Sequence, residues 1–323
     1  MRLLIGFRKP IAALEEALAE AGCDFLRWVP GDPPPAAPQA DAALLDLCDL
    51  ARHLVAGWRL RRTLVRSGTP VYGLNRDAPW HKGVRTRRLR LLRTLHLLDV
   101  YASHSLQDAT RFADEAIYLP NAAWTRHYHL GAQTLHSLRE PSRYRYDVSF
   151  IGNVNAQRYR EHAERVKFLA ALRERLAASG IALHVFDSDA LSPEAQVELI
   201  QASRINLNIG AAADHASLRS WGLPERCYGI PACGGFLLSD ARRHARDDFV
   251  PEKEWVAFGT LDDCVAKIVH YLANFGEARD IAEAAHQRVL CDHTYRQRAQ
   301  LLLAHIERWR SSRHGRANAQ GTR

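Results

Sequence analysis

The chain has 323 residues, a formal net charge of +8, 47% hydrophobic and 25% charged residues. That is the composition of a folded globular protein long enough for two ordinary cores, and it excludes a disordered or collagen-like chain. Six cysteines stand without CxxC or Cys/His metal spacing, so neither a disulfide framework nor a zinc module is expected, and reduced thiols in the cytoplasm are. No apolar run approaches the length of a membrane-spanning helix, and Leu3–Phe7 read as a strand rather than the core of a signal peptide.

In chain order, short apolar strands are expected at 2–7, 24–29, 42–47, 70–74, 99–102 and 115–119, with helices at 10–22, 49–67, 82–97 and 105–113. Strands that alternate with helices imply parallel pairing through crossover connections, a doubly wound sheet. Residues 31–38, with Pro33, Pro34, Pro35 and Pro38, read as a stiff surface loop. Segment 120–144 loses periodicity and reads as a linker. The pattern then resumes with strand 147–151, helix 157–179, strand 181–186, a helix capped by Ser192-Pro193 and strand 204–209. Thr294 with Gln297 forms a capping box for a last helix to about Arg310. The expected domains are therefore 1–143 and 144–310, with 311–323 a disordered tail.

Residues 219–240 carry the strongest functional signal. Pro224 suits the first turn of a helix, and Gly234-Gly235 suits its left-handed stop before an apolar strand at Phe236–Leu238. Glu225 and Arg226 then stand at the helix start, where amides, a guanidinium and a carboxylate together fit a nucleotide diphosphate. Pro231, inside the helix, is expected to bend or end it.

The segment Arg226-Cys227-Tyr228-Gly229-Ile230-Pro231-Ala232-Cys233-Gly234 resembles the Arg-x-Phe-Glu-x-x-Ala-x-Gly pattern of group-1-type glycosyltransferases, in particular the branch of the spore-maturation CgeB-like proteins. Asp147–Asn153, Asn206–Ile209, Glu254–Phe258 and His293-Thr294-Tyr295-x-x-Arg298 are similar to further family segments in the same order, so the resemblance covers about residues 145–305. It implies a GT-B fold, two doubly wound, Rossmann-like domains facing each other across a cleft, with the donor in the second and the acceptor in the first. It also implies catalysis without a metal or other cofactor. One departure matters: the family's donor-binding Glu is Gly229 here, and Glu225, one helical turn earlier, is the nearest substitute.

Ligands of such sheets bind beyond the carboxyl ends of the strands. That rule selects Gly152, Asn153, Asn208 and Arg219 beside Glu225 and Arg226 as donor-binding candidates. In the first domain it selects Asp77 and His104, either of which has the chemistry of a base for an acceptor hydroxyl. Asp187-Ser188-Asp189 is the lone DxD and reads as a loop cap. P-loop, GxGxxG, HExxH and GxSxG motifs are missing.

Charge is uneven: between Arg52 and Arg93 stand twelve basic residues and a single acid, Asp77. Arg85, Arg87, Arg88, Arg90 and Arg93 interleave with Leu89, Leu91, Leu92 and Leu95 on an amphipathic helix. This basic surface suggests an anionic acceptor, such as a lipid-linked sugar, polysaccharide or protein, and peripheral contact with the inner face of a membrane. Nucleic acid is disfavoured for want of interleaved aromatics. The expected activity is sugar transfer from a nucleotide-diphosphate sugar to an acceptor hydroxyl. The alternative is a non-catalytic protein of the same fold that binds an anionic polymer or surface.

Overall fold

The structure, a computed structural model, describes every residue except 36–38, 77–84, 108, 156–161, 211–221, 243 and 321–323, with side chains described to 312. Two compact units emerge, one of Met1–Pro120 with Tyr295–Arg323 and one of Asn121–Thr294.

The first unit holds β1 (Arg2–Gly6), α1 (Ala12–Glu20), β2 (Asp24–Arg27), β3 (Ala42–Asp46), α2 (Leu47–Arg52), α3 (Leu54–Arg66), β4 (Val71–Asn75), α4 (Thr86–Thr94), β5 (Val100–Ser103) and β6 (Glu115–Tyr118). Its six parallel strands run in the order β2-β1-β3-β4-β5-β6. The middle strands read as unbroken apolar runs because helices cover both faces. The helix expected over 49–67 is two helices: His53 leaves helical geometry at φ −118°, ψ 47°. Among the described residues of 105–113 a short 3₁₀ turn forms, at Ala109–Arg111, in place of the expected helix.

The second unit holds β7 (Tyr146–Ile151), α5 (His162–Ala177), β8 (Leu183–Phe186), α6 (Pro193–Gln201), β9 (Ser203–Asn208), α7 (Arg226–Ala232), β10 (Leu237–Asp240), α8 (Ala245–Asp248), β11 (Val256–Phe258), α9 (Leu261–Ala273) and α10 (Phe275–Asp292). Its parallel order is β11-β10-β9-β7-β8, so the strand order reverses between β7 and β9. On one face Val148, Phe150, Ile205 and Leu207 pack with Leu169, Leu172 and Ile268 of α5 and α9.

Two boundaries differ from the sequence reading. Residues 121–144 do not link domains; they pack into the second unit, where Asn121 Nδ2 donates to Leu223 O at 2.8 Å and Ala123 N to His293 O at 2.8 Å. The last helix, α11 (Tyr295–Gln320), belongs to the first unit. Its Leu302 and Ile306 are fully buried, His305 Nδ1 lies 2.9 Å from the Tyr72 hydroxyl, and α11 packs along α1. It also runs past Arg310, since residues 311–320 contain no proline and one glycine.

Candidate functional site

The reversal between β7 and β9 places two chain exits side by side at the carboxyl ends of the strands, the arrangement that opens a ligand crevice in doubly wound sheets. Gly152 follows β7. A Cβ there would stand 2.5 Å from Arg226 Nη1 and 2.8 Å from Phe150 Cζ, so only glycine lets the turn and the guanidinium approach each other. Arg226 Nη1 donates to Ile151 O at 2.8 Å, tying the start of α7 to the end of β7.

Arg226 is not alone. Arg165, on α5, is 1% exposed and donates from Nη1 to Asn153 O at 2.8 Å. Its Nε and Nη2 have no partner among the described residues. Both guanidiniums lie over the Phe150 ring, at 5.4 and 5.7 Å from its centroid. Arg242, just past β10, donates from Nη1 to Gly222 O at 3.1 Å and pairs with Asp240 at 3.2 Å. Burial pushes the Arg165 pKa down to about 9, with the Arg226 and Arg242 charges acting the same way and Asp240 opposing them. Burial likewise lowers that of Arg226, reinforced by Arg242. Guanidiniums crowded in a desolvated place favour an anionic occupant, whose charge would relieve their repulsion.

Beside this cluster a cavity of about 230 Å³ is lined by Tyr128, Ser149, Asn206, Glu225, Arg226 and Ile230, among others. Ser149 and Asn206 are register partners, and Ser149 Oγ donates to Asn206 Oδ1 at 3.3 Å. They form a polar strip on the sheet face opposite the Phe150 core. Tyr128 closes the cavity from above Gly229: a Cβ on Gly229 would meet three ring atoms at 2.9 Å. Burial, then the nearby Glu225 carboxylate, push the Tyr128 pKa up to about 12.

A family model described as glycosyl transferase-like matches residues 132–304. The chain belongs to this glycosyltransferase-like family. No curated protein matches the sequence. In fold it is similar to sucrose-phosphate synthase from Thermosynechococcus elongatus (TM-score 0.67, 12% identity, 97% of this chain and 100% of that one). It is similar also to HepE of Anabaena, solved in complex with UDP and glucose (0.62, 12%, 95% and 99%). A UDP-forming α,α-trehalose-phosphate synthase from Burkholderia vietnamiensis is a third such structure (0.62, 10%, 97% and 99%). The two parallel sheets with flanking helices are thus those of a GT-B glycosyltransferase.

Within this fold the expected donor residues divide by what their side chains touch. Gly152, Glu225 and Arg226 come together at the cavity and its arginines. The Asn153 side chain shapes its own loop, accepting from Asn155 N and donating to Asp189 Oδ2, both at 2.8 Å. Asn208 is fully buried and spans to β10 through Ser239 Oγ at 2.9 Å and Asp240 Oδ1 at 3.2 Å. Arg219 lies outside the described residues, as does Asp77. His104 is buried immediately after β5 in the first unit. Asp187 caps its turn by accepting from Asp189 N at 3.1 Å. The expected helix start at Pro224 moves to Arg226, and α7 has only seven residues. It ends just after Pro231, with Gly234 at φ +75°. So short a helix contributes little dipole, and the arginines supply the positive charge instead.

Sequence reasoning missed Arg165, Arg242 and Tyr128. Arg242 had a signal, because it follows an apolar strand at its carboxyl end. Arg165 had none, since arginine on a helix normally reads as solvated. Tyr128 lies in the aperiodic stretch 120–144, which reads as a linker.

Proposed function

We propose that the protein transfers a sugar from a nucleotide-diphosphate sugar to an acceptor hydroxyl, with the donor held by the 121–294 unit. The observation that carries this reading is the Arg165–Arg226–Arg242 cluster at the strand reversal, next to a cavity bordered by Glu225 and Tyr128. In the proposed reaction Arg226 takes the diphosphate, and Arg165 and Arg242 hold the surrounding charge in place. Fixed guanidiniums stabilise the negative charge that develops as the glycosidic bond to phosphate breaks. Glu225 accepts the ribose hydroxyls, and the bare Gly152 backbone lets phosphate approach. Asn153 and Asn208 order the surrounding loops, and Arg219 is a further donor contact. Asp77 and His104 are the candidate bases for the acceptor hydroxyl. No metal or other cofactor is required, since arginine carries the leaving-group charge. The complexes of HepE with UDP and with UDP-glucose support a uridine nucleotide as the first donor to test. The basic first unit supports an anionic acceptor and peripheral membrane location.

Titration calorimetry on the full chain tests this directly. UDP should bind at least about tenfold more tightly than UMP, because the second phosphate engages charge-assisted hydrogen bonds. A chelator should leave binding and turnover unchanged. If no uridine, guanosine, adenosine or deoxythymidine diphosphate binds better than its monophosphate, the reading fails.

A further inference from the structure

In the first unit, β3 connects to β4 through α2 and α3, and β4 to β5 through α4, each step moving the same way across the sheet. Right-handed crossovers therefore lay α3 and α4 on one face. Leu60 and Leu64 of α3 and Leu89 and Leu92 of α4 accordingly share one core. Arg61 ties them together, reaching His96 O at 3.0 Å and Asp99 at 2.5 Å.

The outward sides of these helices are unusual. Val55 (66% exposed), Trp58 (41%) and Val65 (55%) project from α3, and Leu91 (39%) and Leu95 (38%) from α4 and its cap. These are five of the eleven large hydrophobic residues exposed among the described ones, too many on two neighbouring helices to count as scattered surface residues. Between them stand Arg59, Arg62, Arg66, Arg87 and Arg90, also exposed. Neither helix contains an acid, and among the described residues none of these five arginines pairs with a carboxylate. Arg62 lies over the Trp58 ring at 4.9 Å. At one edge Arg59 and Arg88 line an open hollow of about 460 Å³ together with Val55, Asp32 and Arg52, the last paired with Asp49 at 3.2 Å.

We infer that the α3–α4 face docks on an anionic lipid bilayer. Its charge, carried by Arg59, Arg62, Arg66, Arg87 and Arg90, is complementary to acidic headgroups. The valines, leucines and Trp58 have nothing to offer a nucleic-acid backbone, whereas insertion at a bilayer surface removes them from water. The attachment is peripheral: no described helix is long and apolar enough to cross a membrane. The inference deepens the peripheral membrane location proposed above by assigning it a face, and it stands independently of donor binding.

Flotation of the full-length protein with vesicles tests it. Binding should be strong to phosphatidylcholine vesicles containing phosphatidylglycerol, weak to phosphatidylcholine alone, and should fall as salt rises. The triple variant Arg59→Gln/Arg62→Gln/Arg90→Gln should lower partitioning about a hundredfold, since each basic residue near the surface contributes roughly a fivefold factor. Trp58→Ala should lower it about tenfold even at fixed charge. All four side chains are exposed, so melting temperatures should match wild type, which separates lost docking from lost folding. Equal binding to both vesicle types, or binding indifferent to the triple variant, overturns the proposal. So does capture of RNA without capture of vesicles.

Discussion

The Tyr128 ring rests directly on Gly229, so closely that a Cβ on the glycine would stand 2.9 Å from three ring atoms. Where the resembling family pattern carries a glutamate, this protein carries an empty position and an aromatic ring that fills it. The missing carboxylate and the tyrosine are one arrangement, and Glu225 is the acidic group left beside it.

A mutant cycle follows from that contact. Gly229→Ala improves helix propensity by about 1 kcal/mol, but with Tyr128 present the new methyl displaces the ring at a cost of roughly 1–3 kcal/mol. Gly229→Ala should therefore lower the melting temperature in the wild-type background and raise it in a Tyr128→Ala background. Thermal denaturation of the four proteins measures the coupling, and additive effects would show that the ring yields freely.

Arg165 should show opposite effects on stability and binding. A buried guanidinium with two donor atoms unpartnered among the described residues costs the folded state its desolvation. Arg165→Met should raise the melting temperature while weakening nucleotide-diphosphate affinity about ten- to a hundredfold, a charge-assisted bond being worth about 1.5–3 kcal/mol. Glu225→Gln should weaken affinity by a similar factor without the stabilisation. Unchanged affinity in Arg165→Met would reduce this arginine to a structural role.

Turnover should depend on one of the two candidate bases. Asp77→Asn or His104→Gln is expected to lower kcat by roughly 10²–10⁴ with donor affinity unchanged by calorimetry. Full activity in both variants would point to a reaction that needs no side-chain base.

The cysteines offer a test by labelling. All six are free, and only Cys291 is exposed. Burial pushes the thiols of Cys227, Cys233 and Cys264 up to about 12. A hydrogen bond to Asp292 raises Cys291 also. A raised pKa means less thiolate at neutral pH, so Cys291 should react more slowly than free cysteine and accelerate as pH rises. Mass spectrometry should find one adduct per native chain and six in denaturant; early modification of Cys227 or Cys233 would contradict the packing around α7.

Much of this architecture was legible in the sequence. Runs such as Leu3-Leu4-Ile5 and Val148-Ser149-Phe150 announce strands, and Gly234-Gly235 marks the end of the motif helix, whose start lies two residues past Pro224. The strand-end rule and the motif both point to Gly152, Glu225 and Arg226, and the fold does bring these three residues close together. Partnership was what the sequence could not convey. Burial of Ala299, Leu302 and Ile306 follows helical spacing, but spacing does not say that the helix lies on α1. Tyr128 and Gly229 are a hundred positions apart, and no local pattern links a ring to the glycine beneath it.

The return of α11 to the first unit makes that unit discontinuous in sequence, while residues 121–294 are contiguous. During synthesis the contiguous unit has all its residues before α11 exists, whereas the first unit must keep the ground for α11 open until the chain has passed residue 295. The earlier-made segment is therefore the later to finish folding. Along α1, apolar surface stays uncovered for the time needed to make more than half the protein, and this is where a chaperone would find its first hold on the nascent chain.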